Sequence, residues 1–136
     1  RNEKITKYFE PIMLLHKTGK DFAMTVDVPS DGVWSLSWNY ANARGSLYSE
    51  LTCGIRMLYV DGVKYGINIF PNRYHASGMA QTYLTDGWDM WGWTIPEKLE
   101  LKEGKHHISL KCESDADNMS RTVNDFMLKG YSLTRN

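Results

Sequence analysis

Phe22-Ala23-Met24-Thr25-Val26-Asp27-Val28-Pro29-Ser30-Asp31-Gly32-Val33-Trp34-Ser35-Leu36-Ser37-Trp38-Asn39-Tyr40 is the stretch that decides the fold. Its first seven residues alternate with the period of two that a half-buried strand requires, with Phe22, Met24, Val26 and Val28 in one phase. Pro29 to Gly32 then reads as a turn: proline presets φ, Ser and Asp bond their own backbone, and glycine accepts conformations closed to other residues. After it, Trp34, Leu36, Trp38 and Tyr40 share one face, and Ser35, Ser37 and Asn39 share the other. Those four large side chains are read as core.

The same alternation recurs outward from this pair. Ile55 to Val60 runs into Asp61-Gly62, a strong short hairpin signal, and Val63 to Phe70 follows as its partner. Leu99 to Leu101 is followed by a polar loop, Lys102-Glu103-Gly104-Lys105, and then by Ile108, Leu110 and Cys112 in alternation. Val123 to Leu133 closes the series. Turn signals every ~8–12 residues predict an all-β sandwich or barrel. Two stretches, 41–52 and 72–93, are too long for turns, and connections of that length usually carry function. The second holds Tyr74, His75, Tyr83, Trp88, Trp91 and Trp93, and disordered linkers avoid aromatics, so it reads as an ordered binding surface. Trp88 and Trp91 are expected to reach solvent, and Trp93 to be buried at the start of a strand.

The chain has 136 residues, a single-domain length, and sixteen Lys plus Arg balance sixteen Asp plus Glu. Zero net charge removes the electrostatic attraction on which nucleic-acid binding depends, and it provides no polybasic face for a membrane surface. No apolar run approaches the roughly 18 residues of a spanning helix. Nucleic acid and membrane are therefore not expected partners, and a monomer is expected. With no initiator Met and no signal pattern, the chain reads as a piece excised from a longer polypeptide. Cys53 and Cys112 admit two readings, a disulfide between strands or two buried thiols. His106 and His107 lie beside a hairpin, where adjacent side chains point to opposite faces and cannot share a metal. Asp86 and Asp89, like Asp115 and Asp117, read as solvated loop acids, and no GxSxG or HExxH motif is present. Nothing argues for catalysis. An uncharged domain with surplus flat aromatics suits a sugar ring, whose C–H face packs on an indole while its hydroxyls meet polar side chains.

The segment from Phe22 to Asn42, then Tyr59-Val60-Asp61-Gly62, Asp86-Gly87-Trp88-Asp89-Met90-Trp91, and Leu99 to Leu110, in this order, resembles the family 6 and family 35 carbohydrate-binding modules. The resemblance implies a jelly-roll, galactose-binding-like β-sandwich of two antiparallel sheets, secreted as the accessory domain of a polysaccharide-degrading enzyme. It implies sugar binding at the loop end and a structural calcium ion held by Glu10 and Asp125. Three positions depart from the family pattern: Leu15-His16 stands where an aromatic is usual, Ile12 replaces an acid near Glu10, and Val123 replaces an Asn, with Asn124 one residue late. A one-residue shift turns a side chain to the other face. The expected site therefore rests on stacking by Trp88 and Trp91, with Tyr74 or Tyr48, and on Arg44, Asn72, Arg73, Gln81 and Asn124 as readers of hydroxyls. The expected ligand is a plant-type polysaccharide, a neutral β-glucan or hemicellulose, and the expected partner is a catalytic domain in the same chain. Two other readings are a small β-sandwich polysaccharide hydrolase or lyase, and a structural domain packed on a neighbouring catalytic domain.

Overall fold

The computed structural model describes residues 3–15, 21–42, 53–71, 91–113 and 126–136, which form nine β-strands and no helix. In chain order these are β1 (Lys4–Leu15), β2 (Phe22–Val28), β3 (Gly32–Ala41), β4 (Cys53–Val60), β5 (Val63–Pro71), β6 (Gly92–Trp93), β7 (Glu97–Leu101), β8 (Gly104–Lys111) and β9 (Phe126–Arg135). They build two antiparallel sheets, the β-sandwich that the alternation predicts. One runs β1-β9-β3, with β6 and β7 pairing in succession along the far edge of β3; the other runs β2-β8-β4-β5.

Each sheet turns one residue phase inward. From β3 the phase is Trp34, Leu36, Trp38 and Tyr40, as read, and both indoles are 0% exposed. Leu128, Tyr131 and Leu133 of β9 join them, facing Phe22, Val26, Leu58, Phe70, Ile108 and Leu110 of the second sheet. Each such side chain stabilises the fold by on the order of 2–3 kcal/mol through its removal from water. The rings meet at the geometries their quadrupoles favour. Trp38 meets Phe22 edge-on at 5.9 Å, Tyr40 meets Phe70 likewise at 5.4 Å, and Phe70 stacks on Phe126 at 3.9 Å. The polar atoms carried inward are satisfied: Trp34 Nε1 donates to the Ser30 carbonyl at 3.1 Å, Trp38 Nε1 to Asn68 Oδ1 at 2.9 Å, and the Tyr40 hydroxyl to the Pro71 carbonyl at 2.9 Å.

Asp61 and Gly62 form the expected tight turn with φ of 52° and 82°, the left-handed pair that matches the twist of a two-residue hairpin. The turn is also stitched to β8. Asp61 N–H donates to the His107 carbonyl at 2.7 Å, Asp61 Oδ1 accepts the His107 N–H at 2.8 Å, and Asp61 Oδ2 lies 2.6 Å from His106 Nδ1. His106 Nε2 lies 2.7 Å from the Lys102 carbonyl oxygen. Both ring nitrogens thus face acceptors, an arrangement only the imidazolium satisfies. The hydrogen bond to Asp61 raises the His106 pKa, against the burial that lowers it, and the Lys102 carbonyl adds to the rise. Burial would raise the Asp61 carboxyl, but the bonds and charge of His106 and His107 hold it below its ordinary value.

The alternation read from the sequence names no strand before Phe22, yet Lys4 opens a twelve-residue strand. Among the described residues β1 is an edge strand paired only to β9, and of its side chains only Ile5, Phe9 and Leu15 contribute to the core, so its apolar pattern is sparse. The last strand is described from Phe126 onward, and residues 123–125 lie outside the described set. Cys112 is partly buried against Ile55 and Met57. The side chain of Cys53 lies outside the described residues, so its pairing stays as the sequence leaves it.

Candidate functional site

Where the described chain resumes after residue 90, Trp91 is half-buried at the outer side of the five-stranded sheet. A bulge in β9 sets its surroundings. Gly130 lies opposite both Tyr8 and Asn39, while Leu128 lies opposite both Met13 and Tyr40, so Lys129 has no direct partner on either side. A bulged residue is re-aimed out of the ladder. Lys129 accordingly carries its ammonium 5.1 Å from the centroid of the Trp91 ring and 5.8 Å from that of Tyr8. A cation over an exposed ring contributes about 0.5–1 kcal/mol, enough to orient the indole against the sheet. Tyr8 is 59% exposed. Two aromatic rings sharing one ammonium form a corner that combines apolar faces with a hydrogen-bond donor.

Trp93 corrects the sequence reading. It was expected to be buried, and it is 43% exposed. The register gives the reason. In an antiparallel pair, residues directly opposite share a face, and Trp93 lies opposite Asn39, which belongs to the outward phase of β3. The inward space behind β3 is already filled by Trp38 and Tyr40. Thr94 then locks this geometry: its N–H donates to the Trp38 carbonyl at 2.9 Å, its Oγ1 accepts the Trp38 N–H at 2.9 Å, and its carbonyl accepts the Ser37 hydroxyl at 2.9 Å. On its other side Trp93 borders a groove of about 560 Å³, walled by Ile67, Ile69 and Pro71 of β5 and by Ile95 and Pro96.

Of the residues expected to bind sugar, Trp91 is described, and it meets Lys129 as above. Trp88, Tyr74, Tyr48, Arg44, Asn72, Arg73, Gln81 and Asn124 lie outside the described residues. Of the two expected calcium ligands, Glu10 is exposed within the irregular part of β1, between Tyr8 and Met13, and Asp125 lies outside the described residues. Among the described residues no three His, Cys, Asp or Glu side chains converge as a metal would need. Sequence reasoning missed Tyr8, Lys129 and the exposure of Trp93. One signal was available: a glycine inside a strand, here Gly130, often marks a bulge beside it.

No family model matches the sequence, and no curated protein matches it. Solved structures do resemble the chain. A family 35 carbohydrate-binding module from Clostridium thermocellum superposes with a TM-score of 0.62 at 13% identity, over 96% of this chain and 97% of the module. The CBM36-1 domain of a multidomain xylanase from the hindgut metagenome of Trinervitermes trinervoides gives 0.58 at 10% identity, over 96% of each chain. A cycloisomaltooligosaccharide glucanotransferase from Paenibacillus sp. gives 0.57 at 21% identity, over 80% of this chain but only 12% of the enzyme. Identities this low establish fold and not activity: the chain shares the two-sheet antiparallel sandwich of family 35 and family 36 carbohydrate-binding modules.

Proposed function

We propose that the chain is a non-catalytic carbohydrate-binding module that binds a plant-type polysaccharide, with a neutral β-glucan or hemicellulose favoured. The observation that carries this reading is the corner of Trp91, Lys129 and Tyr8: partly exposed aromatic faces beside a donor, on an uncharged sandwich of this fold. Pyranose C–H faces stack on Trp91 and Trp88, with Tyr74 or Tyr48 beside them. Arg44, Asn72, Arg73, Gln81 and Asn124 read the hydroxyls. Each polar contact replaces one to water, so the gain per contact is modest, about 0.5–1.5 kcal/mol, and affinities between roughly millimolar and micromolar follow. The module then serves a catalytic domain in the same secreted chain by raising its effective concentration at the polymer. Calcium belongs to this proposal as a structural ion held by Glu10 and Asp125, with further oxygens needed from backbone or water. Affinity electrophoresis through gels containing β-glucan, xylan, mannan, xyloglucan or pectin tests the reading. Retardation in at least one gel, lost in Trp91→Ala or Trp88→Ala, supports it; free migration in all five sinks it.

A second reading, a structural domain packed on a neighbouring catalytic domain, draws on the apolar groove beside β5. Ile95 there is 91% exposed, and Ile67 and Ile69 are about half exposed. Large exposed aliphatics suit a protein surface better than a hydroxylated ligand. This reading expects no retardation in any gel, and it expects Ile95→Asp to release the neighbouring domain in the longer chain.

A further inference from the structure

The outer face of the five-stranded sheet is laid out in rows across its strands. Lys4, Thr134, Ser35 and Lys98 form one row, Thr6, Ser132 and Ser37 the next, and Tyr8, Gly130, Asn39 and Trp93 the third. The first two rows are short hydroxyls, with a lysine at each end of the first. The third has an aromatic at each end and a glycine between them. Gly130 has to be bare, because a Cβ there would lie 2.3 Å from the Lys7 carbonyl oxygen and 2.8 Å from the Tyr8 ring. Its missing side chain keeps the middle of the row low. At the foot of Trp93, Asn39 is only 8% exposed, and its Oδ1 has no hydrogen-bond partner among the described residues. Below that row the first two floor a shallow trough of about 220 Å³, with Trp93 and Pro96 on one side, the hydroxyls of Ser35, Ser37, Ser132 and Thr134 on the other, and Lys4 at its end; Asn39 and Gly130 do not line it.

We propose that this trough is a second saccharide subsite, distinct from the corner at Trp91, in which a pyranose lies against the Trp93 indole. The inference rests on the carbohydrate reading above and adds a place and a ligand length to it. Hydroxyls both donate and accept, as sugar hydroxyls do, so a hydroxyl-lined floor matches a sugar in either hydrogen-bond sense. Ser35 accepts from Asn136 Nδ2 at 3.0 Å and keeps its own proton to donate, while Ser37 donates to the Thr94 carbonyl and keeps its oxygen to accept. Trp91 and Trp93 are two residues apart on one side of the sheet, so a linear chain can reach both at once. The ligand is therefore a stretch of several residues within a linear polysaccharide.

Amide-resolved NMR titration of the whole chain with cellohexaose, xylohexaose and mannohexaose, each separately, tests this. For a hexasaccharide that binds, the Trp93 indole N–H and the amides of Ser35, Ser132 and Thr134 should shift together with the Trp91 indole. Trp93→Ala should weaken that sugar about tenfold, the cost of losing one apolar ring face. Thr134→Val keeps the shape, removes one hydroxyl and should weaken it about threefold, so the test stands even if the first variant is misfolded. Shifts confined to Trp91 and its neighbours, with Thr134→Val at wild-type affinity, would overturn the trough and leave the carbohydrate reading intact. No shift with any of the three sugars would count against both.

Discussion

The Trp side chains of β3 and those around β6 come from one sheet and do opposite things. Trp34 and Trp38 are wholly buried and donate their indole N–H groups to protein oxygens, and Trp38 meets Phe22 and Tyr131 edge-on. Trp91 and Trp93 lie on the outward side, one under a lysine ammonium and one beside a hydroxyl-lined trough. The difference follows from phase. On β3 the aromatic residues take the inward positions and serine the outward ones, whereas Trp93 is paired to an outward residue and has to follow it. Identical side chains are thus divided between holding the fold together and presenting a surface, according to which position they face across the ladder.

Removing a buried ring should have the largest effect. Trp38→Ala deletes contacts with Phe22 and Tyr131 and leaves Asn68 Oδ1 without its donor, so about 3–5 kcal/mol of stability should be lost, read from urea unfolding. Trp93→Ala should cost under about 1 kcal/mol in the same assay, since the ring is already exposed. Equal losses for the two would break the division. Gly130→Ala should cost about 1–3 kcal/mol, because the new methyl has to displace the backbone of β1, and it should disturb the Tyr8 end of the corner. Chemical denaturation together with the Tyr8 amide shift checks both consequences.

Much of this division was legible in advance, and the limits are physical. The alternation on β3 names its own core, and Asp61-Gly62 names its own turn, because both are local patterns. β1 was illegible as a strand because few of its side chains face inward and, among the described residues, only one of its edges is paired. The exposure of Trp93 depends on its pairing with Asn39, 54 positions away in the chain, and no local pattern carries that register. Lys129 lies near Tyr8 and Trp91 only because a bulge turns it, and the bulge is visible once both neighbouring strands are placed. Of the residues expected to bind sugar, Trp91 is among the described ones, held by Lys129.

Smaller effects concern the end of the sandwich held by the Asp61 turn. The raised His106 pKa means that its stabilisation is complete below the ordinary value of 6.5 and is lost as pH climbs through the folded-state value. The lowered Asp61 pKa means that its contribution is complete above 3.8 and is lost as pH falls through the folded-state value. The pair therefore stabilises most between those limits, and Tm should decline as pH rises beyond 6.5 and through the raised His106 value. His106→Gln should flatten that decline while leaving sugar binding unchanged; an unaltered pH profile would show that the pair contributes nothing. If calcium is held through Glu10, adding the ion after chelation should raise Tm by a few degrees, and Glu10→Gln should abolish the rise. Melting curves with and without chelator decide this.

The most direct measurement is ultraviolet difference absorbance of the indoles while each soluble polysaccharide is added. Stacking changes the surroundings of an exposed ring and leaves a buried one as it was. The account predicts an indole difference spectrum with at least one polymer, strongly reduced in Trp91→Phe or Trp88→Phe and retained in Trp34→Phe. A polymer that binds with no indole perturbation, or one whose signal survives every surface Trp substitution, would contradict it.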